Sequence, residues 1–442
     1  VFTVAALGWI FDCLDQQLFN LARVPAMREL LSVDGAPADK QTIIAYGGYA
    51  TSIFLIGWAT GGLFFGVLGD RVGRAKTMMV TILLYSIFTG LSALSTGFWD
   101  FAFYRFLTGL GVGGEFAVGV ALVAEVMPNR ARPYTLGLLQ ALSAFGNITA
   151  ALIAMALGTA AESAASGATE GQTVWLAENY WRIMFVVGIF PALLVVVVRR
   201  KLKEPERWQS RVAASGQKNQ AGSYREMFSH PVWRKNAIVG LILAFTGVVG
   251  LWGIGFFSID LTQSVFRKHF EEQGLSPNEV SGKLTFWAGI TSVMINLGAF
   301  FGMNAFSWLT AYTGRRPAFA VSFVLAAAST ALVFLQLKEL HQVFWMIPLM
   351  GFCQLALFGG YAIYFPELFP THLRSTGTSF CYNVGRFVAA SGPVALGLLT
   401  SVVFKDFEEP MRYAGVTMCS IFILGLLVLP FAPETKGQPL PE

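Results

Sequence analysis

Charge is what this chain has least of. Only 13% of its 442 residues are Asp, Glu, Lys or Arg, against ~25% in an ordinary soluble domain. So little charge excludes a hydrated globule of the usual kind. Cysteine is as scarce: Cys13, Cys353, Cys381 and Cys419 all fall inside apolar runs and none in an exported loop, so neither a disulfide framework nor a metal set is present in the pattern. The four histidines, His230, His269, His341 and His372, are scattered in or beside loops. With no catalytic triad, metal cluster or nucleotide motif, an enzyme has nothing to work with. No basic start or cleavage site opens the chain, which begins in mid-helix and reads as trimmed rather than led by a signal peptide.

What is present is hydrophobicity: 55% of residues and a mean hydropathy of +0.58. Twelve weakly charged runs, near 1–22, 44–69, 77–97, 99–127, 133–159, 180–199, 236–261, 284–309, 317–336, 342–365, 375–402 and 411–432, are each close to a span, for which about 20 residues suffice. A bilayer is the solvent such a chain needs, and helices satisfy their own backbone in it. Nineteen Lys and Arg lie on one side of these spans and nine on the other. The positive-inside rule then puts both termini in the cytoplasm. The net charge of +5 is largely this bias, and implies no nucleic-acid partner.

A polar stretch, 200–235, separates six runs (1–199) from six (236–442). The halves repeat. "EVMPNRAR" (125–132) and "ELFPTHLR" (367–374) share Glu-x-x-Pro-x-x-x-Arg at an offset of 242, and "GDRVGRAK" (69–76) has a degraded partner in "YTGRRP" (312–317) at 241. The fold expected is all-α: twelve transmembrane helices in two six-helix halves, with a substrate site between them near the midplane.

"GVLGDRVGRAK" (66–76), "YRFLTGLGVGG" (104–114), "KEPERW" (203–208) and "PETKG" (433–437) together resemble the signatures of the major facilitator superfamily. "FDCLD" (11–15), "GGEF" (113–116) and "YFPELFPTHLRSTGTSFCYNVGR" (364–386) look most like its organic-acid:proton symporters, the sialate, aromatic-acid and monocarboxylate branches. The departure is Cys13 between the aspartates, where those families usually carry Gly or Ala. The resemblance implies alternating access, and a cytoplasmic gate of salt bridges among Asp70, Arg71, Arg74, Glu125 and Arg132 and their partners Arg315, Glu367 and Arg374. Asp70 is expected at the N-terminus of the helix that follows it, where the helix dipole favours a negative charge. The fifth run lacks the Gly-Pro pair that the resemblance would place in drug antiporters, which disfavours antiport.

Ionisable residues inside spans are functional candidates because hydrocarbon makes them costly. Asp12 and Asp15, three apart on one helix face, and Glu115 in the fourth run are the proton-coupling candidates. The alternative is that the aspartates are fixed partners of Arg105 or Arg386. Arg386 is the candidate for a substrate carboxylate, since guanidinium binds one bidentately, with Arg105 a second. Polar and aromatic residues to complete the pocket are Gln140 and Asn147, Trp252, Trp287 and Asn296. Gln354, Tyr361, Tyr364 and Asn383 extend that set in the tenth and eleventh runs. No metal or cofactor is expected beyond protons as the coupling ion.

The reading is a monomeric, multi-pass carrier of a bacterial inner (plasma) membrane that imports a small organic anion with protons. A carrier of sugars, polyols or organic cations is the rival, in which Asp12 and Asp15 would hold a cation directly. A non-transporting membrane sensor is the remote alternative.

Overall fold

The structure is a computed structural model and describes all residues except 33–37, 167–174, 192–203, 205–207, 210–221, 256, 275–276, 390–394, 397 and 442. The first half comprises α1 (Phe2–Leu30), α2 (Lys40–Val72), α3 (Arg74–Ser92), α4 (Phe98–Val126), α5 (Arg132–Ala141), α6 (Ser143–Ser166) and α7 (Trp175–Val187). In the second half follow α8 (Tyr224–Ser229), α9 (Pro231–Val249), α10 (Phe257–Glu272), α11 (Pro277–Thr313), α12 (Arg315–Gln336), α13 (Val343–Tyr364), α14 (Arg374–Ala389), α15 (Pro410–Met418) and α16 (Ile421–Val428). The linker expected at 200–235 falls mostly outside the described residues.

The architecture is the expected all-α bundle of two six-helix halves. Nine helical stretches among the described residues are long and apolar enough to cross a membrane. The other three expected spans are the first, sixth and eleventh. Helix α1 has the length, 29 residues, but Asp12, Asp15, Gln16 and Gln17 dilute its hydropathy. Beyond α7 and α14 lie residues 192–199 and 390–394, outside the described set.

The two halves are built alike from within. Helix α2 packs on α4, and α11 on α13. A Cβ at Gly109 would collide with the Phe54 carbonyl, and one at its counterpart Gly351 with the Ile295 carbonyl. Small residues let helix backbones touch where lipid offers no hydrophobic drive. The loops before α3 and α12 turn at Gly73 (φ 122°) and Gly314 (φ 99°), a region of φ that side chains disfavour. The halves meet along α2 with α14 and along α5 with α11 and α13.

Candidate functional site

Where the halves meet, a narrow cavity of about 80 Å³ opens among α1, α2, α5, α6, α10, α11, α13 and α14. Its one lining cation among the described residues is Arg386. The guanidinium lies between Trp58 of α2 and Tyr382 one turn back on α14, its Cζ 4.2 Å and 4.4 Å from the ring centroids. Cation–π contacts of this kind strengthen when desolvated. Nη1 donates to the Tyr382 carbonyl (2.9 Å) and to Asn383 Oδ1 (3.0 Å), while Nε is buried with no hydrogen-bond partner. No carboxylate among the described residues pairs with it. Opposite, amides and hydroxyls bridge the halves: Asn147 Nδ2 donates to Asn296 Oδ1 (2.8 Å), and Gln17 Nε2 to Ser292 Oγ (3.4 Å). Aromatic walls and a few polar groups around one cation make the composition of a small-ligand pocket.

The buried acids lie off this cavity, in two separate arrangements. Asp15 faces Arg105, Oδ2 to Nη1 at 4.0 Å. Arg105 is otherwise held by Ser92 Oγ, which accepts from Nε (3.0 Å) and Nη2 (2.7 Å). The rings of Phe19, Phe101 and Phe185 surround its guanidinium at 4.6–5.9 Å. Asp12 instead faces Glu115 of α4, their carboxyls within hydrogen-bonding reach. Glu115 fits there because Gly8, one turn before Asp12, leaves a notch: a Cβ at Gly8 would strike Glu115 Oε1. No described N–H or O–H outside the two carboxyls bonds any of their four oxygens. The aspartates that share a helix face in the sequence thus diverge into two pairs.

At one end of the bundle the repeated loop motifs assemble. Glu125 Oε1 accepts from Arg74 Nη2 (3.0 Å) in its own half and from Arg374 Nη1 (2.9 Å) in the other. Arg74 also bonds the Thr371 carbonyl across the interface (2.8 Å). Asp70 pairs with Arg74 (2.8 Å). Its position corrects the sequence expectation: it does not cap α3. Its carboxylate accepts from the N–H groups of Ser375 and Thr376 (3.2 and 2.8 Å) and from Thr376 Oγ1 (2.7 Å), capping α14 of the other half. The N-terminus of α3 is capped by Glu204, which accepts from Arg74, Ala75 and Lys76. Glu434 does the same for α12, through Arg315 and Arg316. Burial opposes charge on Glu434, but the N–H groups of Arg315, Lys436 and Arg316 outweigh it and hold the carboxyl below the usual carboxylate range. Arg315 forks onto Glu367 (2.8 and 3.0 Å) within its half. Arg132 donates to the Ala124 carbonyl (3.0 Å) and Asn129 Oδ1 (2.7 Å), and Arg71 is exposed.

Of the pocket residues expected from sequence, Gln140, Asn147, Asn296 and Arg386 line the cavity. Asn383 does not, but orients Arg386. Arg105 is not among the lining residues and sits instead with Ser92 and Asp15. Gln354 ties α13 to the Gly250 carbonyl (2.8 Å), Tyr361 bonds the Leu243 carbonyl (2.6 Å) and Tyr364 the Pro433 carbonyl (2.7 Å). Trp287 packs between Phe266 and Phe344. The Trp252 side chain lies outside the described residues. Sequence reasoning passed over Trp9, Trp58, Tyr382, Ser143 and Ser292, which the cavity does use. Tyr382 had a signal: it precedes Arg386 by four, so the two share a helix face.

The Major Facilitator Superfamily profile matches residues 6–393 of this chain. A protein of Haemophilus influenzae provisionally named for metabolite transport is 30% identical over 408 residues, 91% of this chain and 90% of that one. The cis,cis-muconate transport protein of Acinetobacter baylyi is 28% identical over 401 residues, 89% and 86% of the two chains. Among solved structures, the proton:xylose symporter XylE bound to 6-bromo-6-deoxy-D-glucose superposes with a TM-score of 0.72 over 99% of this chain and 96% of that one, at 18% identity, a likeness of fold. These relationships identify a multi-pass membrane transporter rather than an enzyme.

Proposed function

We propose that this chain, which belongs to the Major Facilitator Superfamily, takes up a small organic anion together with protons by alternating access in a bacterial inner membrane. The observation that carries the reading is Arg386: a buried guanidinium in the cavity between halves, braced by two rings, with one N–H unspent and no carboxylate beside it among the described residues. A buried cation without a counter-ion is costly. A substrate carboxylate would relieve that cost and take the free donor geometry. The relative named for a muconate, a dicarboxylate, agrees with this chemistry.

Asp12 and Glu115 supply the proton site. Two carboxyls in contact, with no other donor among the described residues, are satisfied together only when a proton lies between them. Asp15 is already matched to Arg105 and serves structure in this scheme. The cation-carrier reading fares worse, because neither Asp12 nor Asp15 lines the cavity. The repeated loop motifs form the cytoplasmic gate, a reading supported by the Arg374–Glu125 ion pair between the halves, and 200–235 tethers the halves, 1–199 and 236–442.

The test is a thermal-shift screen of lactate, benzoate, cis,cis-muconate and sialic acid, followed by uptake into proteoliposomes with and without an inward proton gradient. Accumulation of at least one acid that collapses with a proton ionophore is expected. Uptake of all four that ignores the ionophore refutes symport, and tight binding of a sugar or an organic cation in preference to the acids refutes the anion reading.

A further inference from the structure

The proton pair and the anion site of the proposed function do not touch, so something must connect them. Trp9 of α1 packs tilted against Phe116 of α4 (ring centroids 4.4 Å and planes 44° apart), and Phe116 against Tyr382 of α14 (4.2 Å and 30°). Tyr382 is one face of the sandwich that holds Arg386. All three rings are buried. The file begins at the carboxyl pair: Phe116 follows Glu115 in the chain, and Trp9 follows Gly8, whose notch seats Glu115. It ends in the other half, since α4 and α14 belong to different halves.

Resting on that reading, we propose that the ring file Trp9–Phe116–Tyr382 is the coupling element, transmitting loss of the shared proton at Asp12 and Glu115 to the grip on a carboxylate at Arg386. Trp9, Phe116 and Tyr382 are thus positioning residues for transport. When the shared proton leaves for water, two carboxylates face each other at van der Waals distance and repel. Their separation drives α1 and α4 apart at Gly8 and Glu115, the residues adjoining Trp9 and Phe116. Phe116 can then no longer hold Tyr382 against Arg386, the guanidinium loses one ring and its fixed orientation, and the anion is released. A packed aromatic file transmits such a shift because interiors resist continuous deformation. The other groups facing the carboxyl pair are Asp15 and Cys13 on α1 and the Tyr85 hydroxyl on α3, with Arg386 beyond Cys13 and Arg105 reached through Asp15. Of these, Cys13 also faces Tyr382 and Arg386, so its thiol lies alongside the ring file.

The experiment uses the full chain in proteoliposomes and whichever of the four acids the wild type accumulates most. Phe116→Leu keeps the position apolar and removes the ring. Gradient-driven accumulation is expected to fall about tenfold, within the 5–150-fold range of allosteric couplings, while exchange of labelled for unlabelled acid at equal pH falls much less. The wild type's binding affinity is expected to change with pH, and that dependence is expected to flatten in the variant. Tyr382→Leu gives the same flattening from the other side of the interface, should Phe116→Leu fail to fold, and Tyr382→Phe restores it because the ring is back. If Phe116→Leu or Tyr382→Leu keeps both the accumulation ratio and the pH dependence of binding, the file is mere packing and the inference falls while the transport reading stands. If the wild type itself shows no gradient-driven accumulation, the transport reading falls first.

Discussion

Glu125 in the first half and Glu367 in the second occupy the same place in the repeat, 242 residues apart, yet they hold different partners. Glu125 takes one arginine from each half, Arg74 and Arg374. Glu367 takes Arg315 and the Thr435 hydroxyl, both from its own half. Deeper in the bundle the divergence is complete. The same shift carries Glu115 onto Leu357, Arg105 onto Ile347 and Arg386 back onto Ala144. What the halves retain in common is the turn-and-cap device, a positive-φ glycine followed by a helix whose N–H groups meet a distant glutamate. The turn is a requirement of backbone and serves any half. Charge inside hydrocarbon is costly, so it persists on one side only, where it has something to do.

The largest effect expected from breaking this comparison is at Glu125. Glu125→Gln takes from Arg374 its ion-pair partner and leaves Arg74 with Asp70 alone, and removing one partner of a buried pair costs about 3–5 kcal/mol. Glu367→Gln strands a single arginine that keeps its bonds to Thr310, so a smaller loss of thermal stability is expected. Only Glu125→Gln should also open the interface, read as faster alkylation of a cysteine placed at Thr371. Equal losses in the two variants would show the two ion-pair clusters to be equivalent and refute the asymmetry.

Next in size is Arg386, among the described residues of the second half the one buried charge that lines the cavity. Replacing a charge-assisted bond costs about 1.5–3 kcal/mol, or roughly ten- to 150-fold in affinity. Arg386→Ala should weaken acid binding by that much, and Arg386→Lys should not rescue it, because the ring-stacked fork is specific to guanidinium. Arg105→Ala, by contrast, should cost stability and leave affinity nearly intact. Calorimetric titration with the transported acid distinguishes them.

Third is the carboxyl pair. Asp12→Asn puts an amide donor on Glu115 and fixes the pair as though the proton never left. Exchange at equal pH should continue while accumulation driven by a proton gradient drops about tenfold or more. Asp15→Asn is expected to leave accumulation coupled and to lower thermal stability, as Arg105 loses its acid. If Asp15→Asn uncouples and Asp12→Asn does not, the two pairs have been assigned the wrong way round.

How much of this was legible beforehand depends on the kind of interaction. Hydropathy and the Glu-x-x-Pro-x-x-x-Arg duplication reveal the two-half bundle, because lipid imposes span length and gene-level repetition leaves spacing intact. Arg386 stood out because a charge in an apolar run is conspicuous. Its ring partners did not: Trp58 is an aromatic among 14% aromatic residues, and only packing across the interface singles it out. The Asp12–Asp15 spacing was misleading in a physical way. Two residues three apart sit about 60° apart around a helix of 3.6 residues per turn, enough to aim one at α3 and α4 near Arg105 and the other at Glu115. Asp70 was misassigned for a similar reason, since helix capping can come from any chain segment in space and sequence shows only the adjacent one.

The smallest effect separates the two caps. Glu434 is exposed, so its charge is screened and its contribution modest. The N–H groups of Arg315, Lys436 and Arg316 hold its carboxyl below the usual carboxylate range against burial that opposes charge. A depressed native pKa means that the unfolded chain binds the proton more readily, so the stabilisation is complete above the unfolded glutamate value of about 4.3 and is lost as pH falls through the lower native one. Thermal unfolding of the wild type and Glu434→Gln should therefore differ most near neutral pH and converge as pH falls below 4, and added salt should narrow the neutral gap. Glu204→Gln tests whether the first half behaves alike, since Glu204 caps α3 through three N–H groups as Glu434 caps α12. A gap for Glu434→Gln that is constant with pH would mean the carboxylate charge contributes nothing there, and that the cap works as a plain acceptor in both halves.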